Sequence, residues 1–192
     1  MIRERIKNET AQNHKDVEAV GFSGQIMSGR LTLDEYKKLI LTNLMLNKGF
    51  EAQWSELDFE IPKDIMLEQR RKTATLEKDA KALGVSIPDT DNLLFPADTY
   101  EAFIGSLYVF EGSTLGGAII YKQLKQNANL STLDDFHFYS CYGERLGMMW
   151  KIFLDHLNEI EDTLKVDKAI EAAKTTFDIT KNTFVRMNQE TF

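Results

Sequence analysis

A chain of 192 residues, 43% hydrophobic and 28% charged, is long enough to bury one substantial core and reads as a single domain over residues 1–192. The formal net charge of −7 argues against a general nucleic-acid binder, and the lone Cys141 excludes a disulfide framework and any multi-cysteine zinc site. No basic-then-apolar leader opens the chain, and no apolar stretch approaches the roughly 20 residues of a membrane span. A cytoplasmic protein with neither nucleic acid nor membrane as partner is expected.

Residues 2–20 read as a first helix, with Ile2, Ile6 and Val17 apolar, and the segment from Gly21 to Gly29 as a small-residue connector. Thr32 and Glu35 form a capping-box pattern. It opens an apolar stripe at helical spacing through Tyr36, Leu39, Ile40, Leu44, Phe50, Trp54 and Leu57. Asp64 to Leu83 reads as a third helix, closed by Gly84 and Pro88. After a connector over 85–97, the run Asp98-Thr99-Tyr100-Glu101 starts a long helix to about Gln126. A polar break over 127–132 precedes a mostly helical stretch from Asp135 to Leu164, and Asp167 is the expected cap of a final helix. No strand-period run of useful length appears, so the expected fold is all-α.

Within the long helix lies Gly112-Ser113-Thr114-Leu115-Gly116-Gly117. Each glycine costs a helix interior roughly 1 kcal/mol relative to alanine. Two readings fit: a flat body approaches the bared backbone, with a bend in the helix, or Gly112 and Gly116 permit close helix–helix packing. In the first helix His14 precedes Glu18 by four residues, one helical turn, which puts both on one face. The carboxylate can hold one ring nitrogen and leave the other for a metal; a solvated surface pair is the plainer reading. Lys7, two turns before His14, shares that face in a continuous helix. His137 lacks the Glu-x-x-His pairing of a ferritin-like di-iron site, and His156, among Asp155 and Glu159, is expected to be exposed.

Three segments together resemble the haem oxygenase family, particularly its bacterial, biliverdin-producing branch. They are Arg3 to Val20 with Lys7, His14 and Glu18, the run Tyr108 to Gly117, and Glu171 to Phe177 with Phe184 seven residues on. The resemblance implies a single-domain multi-helical bundle with a kinked distal helix, in which His14 ligates haem iron and Glu18 orients the imidazole. Gly112, Gly116 and Gly117 would lie over the other porphyrin face. Lys7, and less directly Lys151, would meet the propionates, and Phe177 and Phe184 would wall the pocket. Haem would be both cofactor and substrate, opened with O2 to biliverdin, carbon monoxide and ferrous iron. Electrons would come from a separate reductase or ferredoxin, and the acidic surface suits docking a basic patch on such a donor.

Many family members carry an aspartate after the first distal glycine, where it holds water; this chain has Ser113. That departure supports an alternative in which the protein carries or senses haem without efficient turnover. A thiaminase-like all-α enzyme, with Cys141 as nucleophile, is a third reading.

Overall fold

The computed structural model describes residues 1–86 and 93–190, and every regular element among them is helical. In chain order these are α1 (Ile2–Glu9), α2 (Ala11–Val20), α3 (Ser23–Met27), α4 (Leu33–Ala52), α5 (Thr73–Ala82), α6 (Tyr100–Gln126), α7 (Leu146–Asn158) and α8 (Thr163–Asn188). Helix α8 is the spine, with α1, α2, α4 and α6 all packed on it.

Local chemistry sets the main helix starts. At α4 the amide of Glu35 donates to Thr32 Oγ1 at 3.2 Å while the Thr32 amide donates to Glu35 Oε2 at 2.8 Å, the expected capping box. Thr99 caps α6 by accepting from the Ala102 amide at 3.3 Å. The cap of α8 is Asp162, which accepts from the Leu164 and Lys165 amides, and not the expected Asp167. Asp167 lies inside the helix, where its carboxylate meets Arg5 at 2.8 Å.

The α6–α8 contact is built from small residues. A Cβ placed on Gly105 would fall 2.0 Å from the Ala169 carbonyl oxygen, so only glycine fits there. One residue on, Thr176 donates to Ser106 Oγ at 2.9 Å. Against α4, Phe110 stacks on Phe50 with centroids 4.5 Å apart, and Phe103 and Phe95 extend this aromatic core. Helix α6 is also long and apolar enough to cross a membrane, against the expectation that no stretch would be, but half of its most apolar window is buried inside the bundle. That is the profile of a core helix.

Several other boundaries differ from expectation. The first helix breaks at Thr10, whose hydroxyl donates to the Ile6 carbonyl at 2.6 Å, giving α1 and α2. The 21–29 connector contains α3. The third helix does not start at Asp64: two 3-10 turns, Lys63–Ile65 and Leu67–Arg70, are joined by Met66 in a left-handed conformation (φ 58°), and α5 begins only at Thr73. The α5 amides find their acceptor elsewhere, since Glu51 of α4 takes the Lys72 and Thr73 N–H groups at 2.6 and 3.2 Å. Gly84 closes α5 as expected with φ +64°, while Pro88 falls outside the described residues. Between Asp135 and Leu146 the chain forms 3-10 turns instead of a helix, pinned by Asp79, which accepts the His137 and Phe138 amides at 2.9 and 2.8 Å.

Candidate functional site

Helix α6 remains α-helical through its glycines. A Cβ at Gly112 or at Gly116 would meet nothing within 4 Å, which removes the helix-packing reading for both. They share a face with Leu115 and Ile119, at i, i+3, i+4 and i+7. Those two side chains are 40% and 55% exposed, unusual for large aliphatics on a helix this apolar. Gly117 does something else: its Cβ position is 3.4 Å from the Tyr139 carbonyl oxygen, so it seats the 138–143 segment against the helix.

Helix α2 carries the histidine. It has no buried residue, and polar contacts tie it to α8: Asn13 to Asp178 at 3.2 Å, Lys181 to Asp16 at 2.9 Å and Asn188 to the Val20 carbonyl at 3.0 Å. His14 Nδ1 lies 3.4 Å from Glu18 Oε2, both side chains more than half exposed. Nε2 has no partner among the described residues. The imidazole edge rests on Phe177, with centroids 6.0 Å apart and an interplanar angle of 73°. Thus α8 holds the two elements side by side: Thr176 binds Ser106 of α6, and the adjacent Phe177 supports His14 of α2. Burial pushes up the phenol of Tyr108, a turn before Gly112, with Thr10 and Arg3 opposing the shift. Its ring adjoins Trp150 and Phe153.

On the next face of α6, Ser113, Thr114, Gly117 and Tyr121 line a cavity of about 320 Å³ closed by residues 138–143 and Leu146. Neither Gly112 nor Gly116 lines it. Ser113 donates its hydroxyl to the Phe110 carbonyl at 2.7 Å, so toward the cavity it offers acceptor lone pairs. Behind this wall lies a buried charge cluster. Glu111, 1% exposed, is paired with Arg70, meets Lys72 Nζ at 2.8 Å and accepts the Tyr142 hydroxyl at 2.8 Å. A charged run of Arg, Lys and Glu is normally solvated, so the sequence around Arg70 and Lys72 gives no sign of this cluster. The one available signal was a carboxylate inside an apolar helix.

The remaining expected site residues divide. Phe177 and Phe184 are buried on α8, Phe184 3.9 Å from the Cβ position of Gly21 at the end of α2. Lys7 is exposed and without a carboxylate partner among the described residues, but the break at Thr10 removes the straight-helix argument for placing it beside His14. Lys151 is 76% exposed and paired with Asp155 at 2.6 Å. His156 is buried, 5% exposed, not solvated as expected, with Nε2 3.4 Å from Asp64 and Nδ1 3.4 Å from Glu159. Among the described residues no cluster of three or more His, Cys, Asp or Glu side chains could hold a metal ion.

Comparison with known proteins bears on the fold and the family. A heme oxygenase from Xanthomonas campestris pv. campestris is 30% identical over 102 residues, an alignment covering 51% of this chain and 58% of that protein, so the match spans little more than half of the relative. The heme-complexed heme oxygenase-1 of the cyanobacterium Synechocystis sp. PCC6803 superposes with a TM-score of 0.76 at 19% identity, covering 96% of this chain and 91% of that one. The heme oxygenase of Leptospira interrogans gives 0.77 at 16% identity, with 96% and 98% covered. That of Neisseria meningitidis, solved with NO and CO bound, gives 0.74 at 24% identity, with 97% and 92% covered. These likenesses establish the fold. The family model described as Heme oxygenase matches residues 1–186, and the chain belongs to that family.

Proposed function

We propose that this protein is a haem oxygenase, binding haem between α2 and the second half of α6 and cleaving it with O2 to biliverdin, carbon monoxide and ferrous iron. The observation that carries the reading is the pairing of a bare apolar helix face, Gly112, Leu115, Gly116 and Ile119, with an exposed imidazole whose Nε2 is free and which is supported on the same helix, α8. These residues fit a flat, mostly apolar macrocycle with one axial ligand position. Haem supplies the redox chemistry and the carbon that is oxidised. The chain's part is to bind, orient and hydrate. Glu18, 3.4 Å from His14 Nδ1, is placed to favour the tautomer that leaves Nε2 free to coordinate. The missing side chains at Gly112 and Gly116 leave room on that face for a diatomic gas. Ser113, with its lone pairs toward the cavity, anchors water beside that room.

Lys7 is the candidate propionate partner, with Lys151 second; both are exposed, and Lys151 would have to leave Asp155 to reach a propionate. Electrons come from a separate donor protein, for which an acidic chain of net charge −7 suits a basic docking patch. We place the enzyme in the cytoplasm, in keeping with a half-buried α6. Binding without turnover is the second reading, favoured by one observation: the Ser113 hydroxyl proton is already committed to Phe110. The thiaminase-like reading lacks support, because burial pushes the Cys141 thiol up instead of activating it, Glu111 adding to the shift and Lys72 opposing it.

Haem titration of the wild type and His14→Ala, followed by reductant and oxygen, tests the proposal. One equivalent bound by the wild type, loss of high-affinity uptake in His14→Ala, and replacement of the Soret band by a bilin spectrum are expected. Stoichiometric binding with degradation only by added peroxide selects the second reading.

A further inference from the structure

The cluster behind the Ser113 cavity is more elaborate than helix packing requires. Arg70 and Lys72 are 1% and 2% exposed, an extreme for these residue types. Arg70 joins four segments: besides Glu111 it donates to the Ile65 carbonyl at 2.7 Å and, from Nη2, to the Met149 carbonyl of α7 at 3.0 Å. Lys72 donates to the Arg70 carbonyl at 3.0 Å and to Tyr142 Oη at 3.3 Å, with its ammonium 5.1 Å from the Tyr142 ring centroid. Glu51, also buried, takes the Lys72 and Thr73 backbone amides, so Glu111 is the carboxylate that meets both cations. Everything converges on Glu111, the residue immediately before Gly112 and Ser113.

Two roles are conceivable for such a group beside a site that consumes protons: a proton store or a fixed anchor. The protons here are held. Burial is the largest single effect on Lys72 and works against its charge, yet Glu111, Tyr142 and Cys141 together move the ammonium pKa upward; burial moves the Tyr142 phenol up as well. Neither group gives up a proton near neutral pH, which leaves the anchor.

Resting on the haem oxygenase reading, we infer that Arg70, Lys72, Glu111 and Tyr142 are positioning residues: they lock the start of the glycine run to the 138–146 wall and so set the width of the water-holding cavity at Ser113. The geometry is direct. Tyr142 and Cys141 belong to the wall, Glu111 belongs to α6, and the Tyr142–Glu111 hydrogen bond spans the two. Gly117 accepts the wall one and a half turns further along, at Tyr139. Between these two fixed points lie Gly112 and Gly116, where a Cβ would meet nothing within 4 Å, and Ser113 and Thr114, whose hydroxyls bond back to carbonyls of the same helix. The spacing between Ser113 and the wall is therefore governed at Glu111 and not by the glycine run.

Cys141, the only cysteine, reports on the wall without any ligand. In haem-free protein, Tyr142→Phe and Glu111→Gln should raise the rate of Cys141 alkylation by iodoacetamide on the order of fivefold to tenfold, the local opening expected when one buried hydrogen bond is lost. In the ferric haem complex the same variants should keep one equivalent of bound haem but displace the midpoint of the acid–alkaline spectral transition, a signature of the water network that loss of global stability does not produce. Unchanged alkylation in both variants overturns the inference. So does faster alkylation with an unmoved spectral transition, which would make the cluster a purely structural clamp. Should Glu111→Gln fail to fold, Tyr142→Phe, which loses only a hydroxyl, decides alone. Failure of the wild type to take up haem would refute the haem oxygenase reading, and the wall-locking claim would then stand or fall on alkylation.

Discussion

The two halves of α6 follow opposite rules. From Ala102 to Glu111 nearly every residue is buried, glycine included, and the helix is gripped by α8 through Gly105 and Ser106, by α4 through Phe103 and Phe110, and by Arg70 and Lys72 through Glu111. From Gly112 onward only Gly117 and Leu124 are buried, and two glycines look into open space. The same residue type is thus used for two purposes. Gly105 exists because another backbone is already there; Gly112 and Gly116 face open space, which the proposed function fills from outside the chain. A glycine in a helix says that space matters, and only its neighbours say whose space it is.

Substitutions that treat the halves alike should expose this difference. The largest loss is expected for Glu111→Ala, which leaves Arg70 and Lys72 buried without their shared carboxylate and should cost about 3–5 kcal/mol in urea unfolding. Gly105→Ala comes next: a methyl 2.0 Å from the Ala169 oxygen forces α6 and α8 apart, at a cost of about 1–3 kcal/mol measured the same way. The same change at Gly112 or Gly116 should have the opposite sign, stabilising the haem-free protein by up to about 1 kcal/mol while weakening haem uptake in titration. A matching loss of stability at all three glycines would erase the distinction drawn between the halves. The smallest effect concerns the first turn of α6, where Glu101 meets Lys165 at 2.9 Å. The hydrogen bond from Lys165 holds the Glu101 carboxyl below its ordinary value. Its contribution is present above the unfolded pKa and is lost as pH falls through the lowered folded value. Thermal melts should therefore show Glu101→Gln destabilised by less than about 1 kcal/mol at neutral pH, the gap to wild type closing in acid.

What was legible in the chain was what depends on residues a turn apart. The Thr32–Glu35 capping box and the His14–Glu18 pair each join positions three or four apart, and each appears in the structure. The glycine run was legible as a cost to the helix, and its resemblance to a distal helix agrees with the family match. The run over 63–72 misled for the same reason in reverse. Its Lys, Arg and Glu are good helix formers with no local signal against a helix, but Arg70 and Lys72 are drawn inward by a carboxylate 41 and 39 residues away. Asp167 satisfied a local cap pattern as Asp162 does, and lost to it because the helix had already begun. His156 looked solvated from its charged neighbours and is buried by packing instead.

The amino-acid sequence by itself therefore determined the helical class, the starts of α4 and α6, the cost of the glycine run to its helix, and the placing of His14 and Glu18 a turn apart. Tertiary structure alone decided that Gly105 and Gly117 serve packing, that Thr10 divides the first helix, and that Glu111 ties the glycine run to the wall of the Ser113 cavity. The reason is range. Capping, propensity and side-chain periodicity act within about a turn of helix and can be read along the chain. Burial, charge pairing at low dielectric and the clearance around a Cβ depend on residues brought together only by the fold.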